Sequence, residues 1–276
     1  MKRLAVVVAL ASLAAPPASA EAPGFPRNPN IDVSYVIPAD RGLVETYDRM
    51  QQLGVLQTLQ EFLSPLKLQR TISVRMDQCG ALSVPYKGQG PVTVCYEQLN
   101  AIRVSAPRDG FIMFDAKRKL TANQAIAGGV ARLLLYETAF GVFDALNVPV
   151  WGRVDEAVDN VSALIMLDFG EDLAWASILG SAWYLAQRGM IGTGFFNDAA
   201  RPHEAQRFYN YLCLAYGKLP STYGFLVNGF NLPSARAQRC GIEYYRLSRA
   251  FRATFTPHLD SELVKRVKSR RDWLRN

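Results

Sequence analysis

Residues 131–147 read ARLLLYETAFGVFDALN, and the rest of the chain is organised around this stretch. Its apolar residues recur at helical spacing. Upstream, KLTANQAIAGGV continues the pattern, and Thr121 stands where an N-cap belongs. Downstream, Pro149 and Gly152 break the chain. One long, heavily apolar helix is predicted, with Glu137 in its middle. Tyr136 and Phe140 are four residues apart, so they share a face beside that carboxylate. A carboxylate placed there either works or needs a partner, because a buried lone charge is costly.

Outward from this helix the periodicity predicts more helix than strand. IDVSYVI, LQRTISVRM and PVTVCYEQL read as short strands, the last running into a helix. Residues 43–63 carry a helical stripe. After Gly152, helices are expected near 155–167, 171–188, 203–216, 234–252 and 258–273. The fold class is α+β and predominantly helical, with a small N-terminal sheet. A chain of 276 residues, 49% hydrophobic and 20% charged, suits one large folded domain.

The first residues read as an export signal. Lys2 and Arg3 precede LAVVVALASLAA, and ASA ends at Ala20. Pro16 and Pro17 cut the run short of the ~20 apolar residues that a membrane span requires. The organisation expected is a signal peptide over 1–20, a proline-rich linker over 21–30, a main domain over 31–260 and a basic amphipathic helix over 261–276. No later stretch reads as a span. The mature protein is expected to be periplasmic or secreted. Export suits the four cysteines, Cys79, Cys95, Cys213 and Cys240. An even count in an oxidising compartment suggests two disulfides, and three pairings are open. Loop length favours Cys79–Cys95 and Cys213–Cys240, each contributing ~3 kcal/mol by constraining the unfolded chain.

The net charge of +7 is unevenly spread. SELVKRVKSRRDWLRN, the last sixteen residues, holds six basic and two acidic side chains, while residues 21–260 are close to neutral. That argues against a nucleic-acid binder, which would present a basic face over its body. Leu263, Val267 and Leu274 fall on one side of the tail with Trp273 beside them. The helix either touches an anionic surface or packs its apolar stripe on the domain.

The chemistry turns on what the Glu137 helix lacks. In H-E-x-x-H, two imidazoles at i and i+4 grip one zinc while the Glu activates its water. Here the same spacing reads Y-E-T-A-F. In one class of such enzymes the third ligand is a carboxylate on the next helix, and RVDEAVDN supplies Asp155 and Asp159, four apart on one face. Neither His203 nor His258, the only two histidines, lies on the Glu137 helix. There is no G-x-S-x-G elbow and no P-loop.

YETAFGVFDALNVPVWGRVDEAVDN, residues 136–160, resembles the active-site region of an exported bacterial family described as metallopeptidases, a domain of unassigned physiological function. That family's pattern is roughly H-E-x-G-H-A-x-x-D-x-x-x-x-P-x-x-G-R-E-E-D-A-A-D. PVTVCYEQL, QRFYNYLCLAYG and LPSARAQRCGIEYYRL, the last continuing to PHL, resemble it too, so the likeness covers roughly residues 30–260. It implies a zincin-like domain of the gluzincin kind and the same cysteine framework. Carried over by position, the zinc histidines fall on Tyr136 and Phe140, the catalytic Glu on Glu137 and the third-ligand Glu on Asp155.

Phe140 has no donor atom, and Tyr136 could ligate only as a phenolate, its ordinary pKa being ~10. No zinc or other cofactor is therefore expected. The aromatic pair reads as core filling a former metal site, with Arg153 or the Tyr136 hydroxyl expected near Glu137. Three functional readings remain open: an inactive homologue that binds or supports an unknown protein or component of the cell envelope, an active hydrolase with an unconventional metal site, and a hard-cation site built from Glu137, Asp155 and Asp159.

Overall fold

The computed structural model describes residues 25–88, 90–106, 111–113, 119–168, 170–191, 204–227, 232–270 and 273. The segment expected as an export signal, Gly192 to Gly194 and His203 lie outside the described residues.

Three short strands, β1 (Ile31–Tyr35), β2 (Ile72–Asp77) and β3 (Val92–Cys95), pair in parallel in the order β1-β2-β3. Ile31 pairs with Ile72, and Val74 with Val92. The β1–β2 crossover carries α1 (Arg41–Gln52) and α2 (Val55–Phe62). The sequence reading makes these one helix. Leu53 and Gly54 divide it, with Gly54 at a φ of 59°, where a glycine is least strained. Helix α3 (Tyr96–Ser105) follows β3 directly. A small antiparallel hairpin, β4 (Phe111–Met113) with β5 (Lys119–Thr121), leads into α4. Strands of three residues carry too little alternation to be read from sequence.

Helix α4 (Ala122–Ala145) is the expected central helix. Thr121 accepts from the Gln124 N–H, and the Gln124 side chain accepts from the Thr121 N–H, completing a capping box. By length and apolarity alone this helix could cross a membrane, which corrects the expectation that no stretch past the N-terminus could. Within the fold, 72% of its most apolar window is buried. Three glycines let neighbours approach it closely. A Cβ on Gly128 would lie 2.4 Å from the Ala176 carbonyl oxygen of α6 (Glu171–Ile191). One on Gly129 would meet Ile102 of α3, and one on Gly141 would press on Ile72 and Val92 of the sheet. The same helix is thereby pinned to a helix on one side and the sheet on another.

The helical body continues through α5 (Val154–Leu167), α7 (Glu204–Lys218), α8 (Pro220–Tyr223), α9 (Ser234–Phe255) and α10 (Ser261–Ser269). Both expected disulfides form. Cys79–Cys95 ties the loop after β2 to the end of β3, and Cys213–Cys240 ties α7 to α9. Residues 25–30, expected as linker, dock on the body: Asn28 is buried and donates to the Leu63 and Leu66 carbonyls. The C-terminal segment docks too. Val267 and Trp273 are buried, and Trp273 packs edge-on against Phe25 and Phe62. Lys265, Arg266 and Lys268 are exposed on the other side of α10.

Gly128→Ala is expected to cost about 3 kcal/mol, since a backbone carbonyl must move to admit the methyl. Gly224→Ala, where a Cβ would meet nothing within 4 Å, serves as the comparison. Urea denaturation of both variants checks this, and equal stabilities would refute the close α4–α6 packing.

Candidate functional site

Three helices meet at the predicted site, and each contributes a pair of side chains four residues apart. Helix α4 supplies Arg132 and Tyr136, α5 supplies Asp155 and Asp159, and α7 supplies Arg207 and Tyr211. Side chains at i and i+4 project from one face, so each pair points into the same junction.

Asp159, 5% exposed, is the centre. Arg132 Nη2 reaches its Oδ1 at 3.0 Å. Arg207 grips it in two-pronged fashion, Nε to Oδ2 at 2.5 Å and Nη2 to Oδ1 at 3.0 Å. The Tyr211 hydroxyl donates to Oδ1 at 3.3 Å. Glu204, at the margin, takes Arg207 Nη1 at 3.4 Å. Both arginines are buried, Arg132 at 2% and Arg207 at 4% exposure. Burial opposes the Arg207 charge, but Asp159 more than offsets it and holds the guanidinium protonated.

Tyr136 lies among these cations. Its ring is 4.6 Å from the Arg207 guanidinium carbon and 5.0 Å from that of Arg132. Such contacts favour positive charge over the aromatic face. Its hydroxyl donates to Asp155 Oδ1 at 2.7 Å. Burial pushes the Tyr136 phenol well above its ordinary pKa; Arg207 pulls the other way, and Asp159 and the bond to Asp155 push further up. The phenol therefore stays protonated at neutral pH.

The sequence-predicted residues divide accordingly. Tyr136 and Asp155 come together as donor and acceptor, and Asp159 pairs with the arginines. Glu137 is 4% exposed in the middle of α4. The Tyr136 hydroxyl donates to Asp155. Arg153 is the exposed N-cap residue of α5. Phe140 packs edge-on against Tyr136 at 5.2 Å but is only half-buried. Its open side lines a cleft of about 350 Å³ with Tyr86, Phe143 and Val150. Tyr136 alone is core, and Phe140 is the wall of a surface depression. His258 sits in the turn before α10. Sequence reasoning missed Arg132, Arg207 and Tyr211. The available signal was R-x-x-x-Y, which occurs on both α4 and α7.

The residues present do not fit a zinc ion. One ligand position is a hydrocarbon ring, another a protonated phenol, and two guanidiniums already sit where a dication would need anionic surroundings. Glu137, Asp155 and Asp159 do not bring three carboxylate oxygens within 4.8 Å of one another. Among the described residues, the cluster tight enough for a metal is Cys79, Cys95 and Glu97. Both of its sulfurs are spent in a disulfide, and Glu97 accepts the Cys79 and Gly80 N–H groups.

A family model described as "Putative metallopeptidase" matches residues 35–254. The chain belongs to that family. The match spans β2, β3, α4, α5, α7 and nearly all of α9, so all six residues of the Asp159 junction lie within it. No curated protein and no solved structure matches the chain.

Asp159→Asn is expected to cost about 3–5 kcal/mol, because it leaves two buried cations with a neutral partner. Asp155→Asn keeps an acceptor for the Tyr136 hydroxyl and is expected to cost about 1 kcal/mol. Equal losses in urea denaturation would show that Asp159 is not the electrostatic centre.

Proposed function

We propose that this member of the metallopeptidase family is catalytically inactive and serves the cell envelope as a binding or structural protein. The observation that supports the reading is the cluster at Tyr136: Asp159 is held by Arg207 and Arg132, whose guanidiniums lie against the protonated Tyr136 ring. Two fixed monocations of the protein supply the positive charge that a bound dication would otherwise bring. A catalytic zinc needs about three protein ligands and an open position for water. This junction offers neither. The family description suggests a zincin-like ancestry for the α4–α5 arrangement, and the Y-E-T-A-F sequence records the loss of its ligands.

A binding role is supported at the edge of the same site. The cleft beside Phe140 is walled by Val150 and Val154, and between them in sequence Trp151 is 99% exposed. An indole left wholly in water marks a contact surface, since tryptophan is enriched where partners bury it. Two disulfides suit the oxidising compartment expected from the N-terminal signal. The export reading rests on that signal and on these bridges.

Elemental analysis of the mature protein, after equilibration with micromolar zinc and dialysis, tests the reading. We expect well below one zinc per chain and no peptide hydrolysis above buffer. One zinc per chain that is lost in Asp155→Ala would overturn it in favour of an active enzyme with an unconventional metal site.

A further inference from the structure

A second concavity lies away from the Asp159 junction, between the α1–α2 pair and the first half of α4. It encloses about 130 Å³. Met50, Leu59 and Phe62 form one wall, Ile126 and Val130 the other, and Trp273 closes one edge. Ala127 and Ala131 line it as well, and larger residues at those two positions would fill it. An apolar cavity of about 150 Å³ stays dry and takes up small hydrocarbons. From Ile126 to Leu134 the α4 wall runs about 12 Å. So small a volume over that length is narrow, and its shape suits a linear alkyl chain.

The rim selects the charge of what enters. Arg49 lines the opening and makes no ion pair among the described residues. At the Trp273 edge, Arg270 stacks on the indole at 4.2 Å and Arg266 lies over Phe25 at 5.2 Å. Among the described residues, Glu61, which pairs with Arg270 at 2.6 Å, is an acidic group at that edge. An excess of cations around an apolar slot complements a molecule with an anionic head and a hydrocarbon tail.

We propose that this groove binds a free single-chain anionic amphiphile, an alkyl carboxylate of the fatty-acid type, with its chain against α4 and its head at Arg49. Isothermal titration of the full mature chain with hexanoate, octanoate and decanoate, each below its micelle concentration, tests this. Affinity is expected to rise about fourfold per methylene until the slot is full. Decyltrimethylammonium is expected to bind at least tenfold more weakly than decanoate. Ala131→Leu should weaken decanoate at least tenfold, and Arg49→Gln about fivefold, with melting temperatures kept as the control for folding. A flat chain-length series on the unaltered protein, or equal binding of the cationic amphiphile, overturns the proposal without recourse to any variant. Binding to anionic vesicles but not to monomeric decanoate also overturns it, assigning the basic rim to a membrane surface instead. Undiminished decanoate binding by a folded Ala131→Leu places the chain elsewhere and overturns it equally.

Discussion

Everything at the centre of this protein depends on one carboxylate holding two buried guanidiniums. Removing charges from water is expensive, and an ion pair in the interior persists only with good geometry and further hydrogen bonds. Asp159 meets that demand through the two-pronged grip of Arg207, the single contact of Arg132 and the Tyr211 hydroxyl. The arginine planes then find the Tyr136 ring, which the excess positive charge makes a favourable neighbour. Asp155 accepts the hydrogen bond of the Tyr136 hydroxyl, while Arg132 Nε is left buried without a hydrogen-bond partner. The junction is a buried polar network, and its members come from α4, α5 and α7. It fixes how those three helices meet.

The fold around the junction is arranged to bring α4 close to everything else. Gly128 allows α6 in, Gly141 allows the sheet in, and the Ser181 hydroxyl bonds the Gly128 carbonyl across the helix contact. On the far side of α7, Cys213–Cys240 fixes α9, and Gly217 brings the backbones together where a Cβ would lie 2.2 Å from the Cys240 carbonyl oxygen. Arg207 and Tyr211 are therefore carried by a helix with little freedom to move. Away from the junction, the basic tail lays Val267 and Trp273 on the domain.

Much of this was legible in the sequence, for identifiable reasons. Helix α4 could be read because its apolar load is long and Thr121 caps it. The strands could be read where alternation ran for four or more residues, as in Ile72, Val74 and Met76. The disulfide pairs followed from loop length. The division of α1 from α2 was missed because one Gly in a helical pattern is ordinarily tolerated. The buried arginines were missed for a different reason. A lone Arg in an apolar helix reads as a surface residue that extends past the core, and only the recurrence of R-x-x-x-Y on α4 and α7 hinted at a shared destination. Phe140 was misjudged as core because helical spacing gives the face of a residue, not how far its neighbours cover it.

We propose that protein cations stand in the place of a metal at this junction. Zinc titration of Tyr136→His/Phe140→His, with and without Arg207→Met, tests it most directly. With Arg207 in place, the restored histidines should gain only weak zinc affinity; removing the guanidinium, while Arg132 still pairs Asp159, should strengthen it at least tenfold. Tight zinc binding by the histidine pair alone, unaffected by Arg207→Met, would contradict the account.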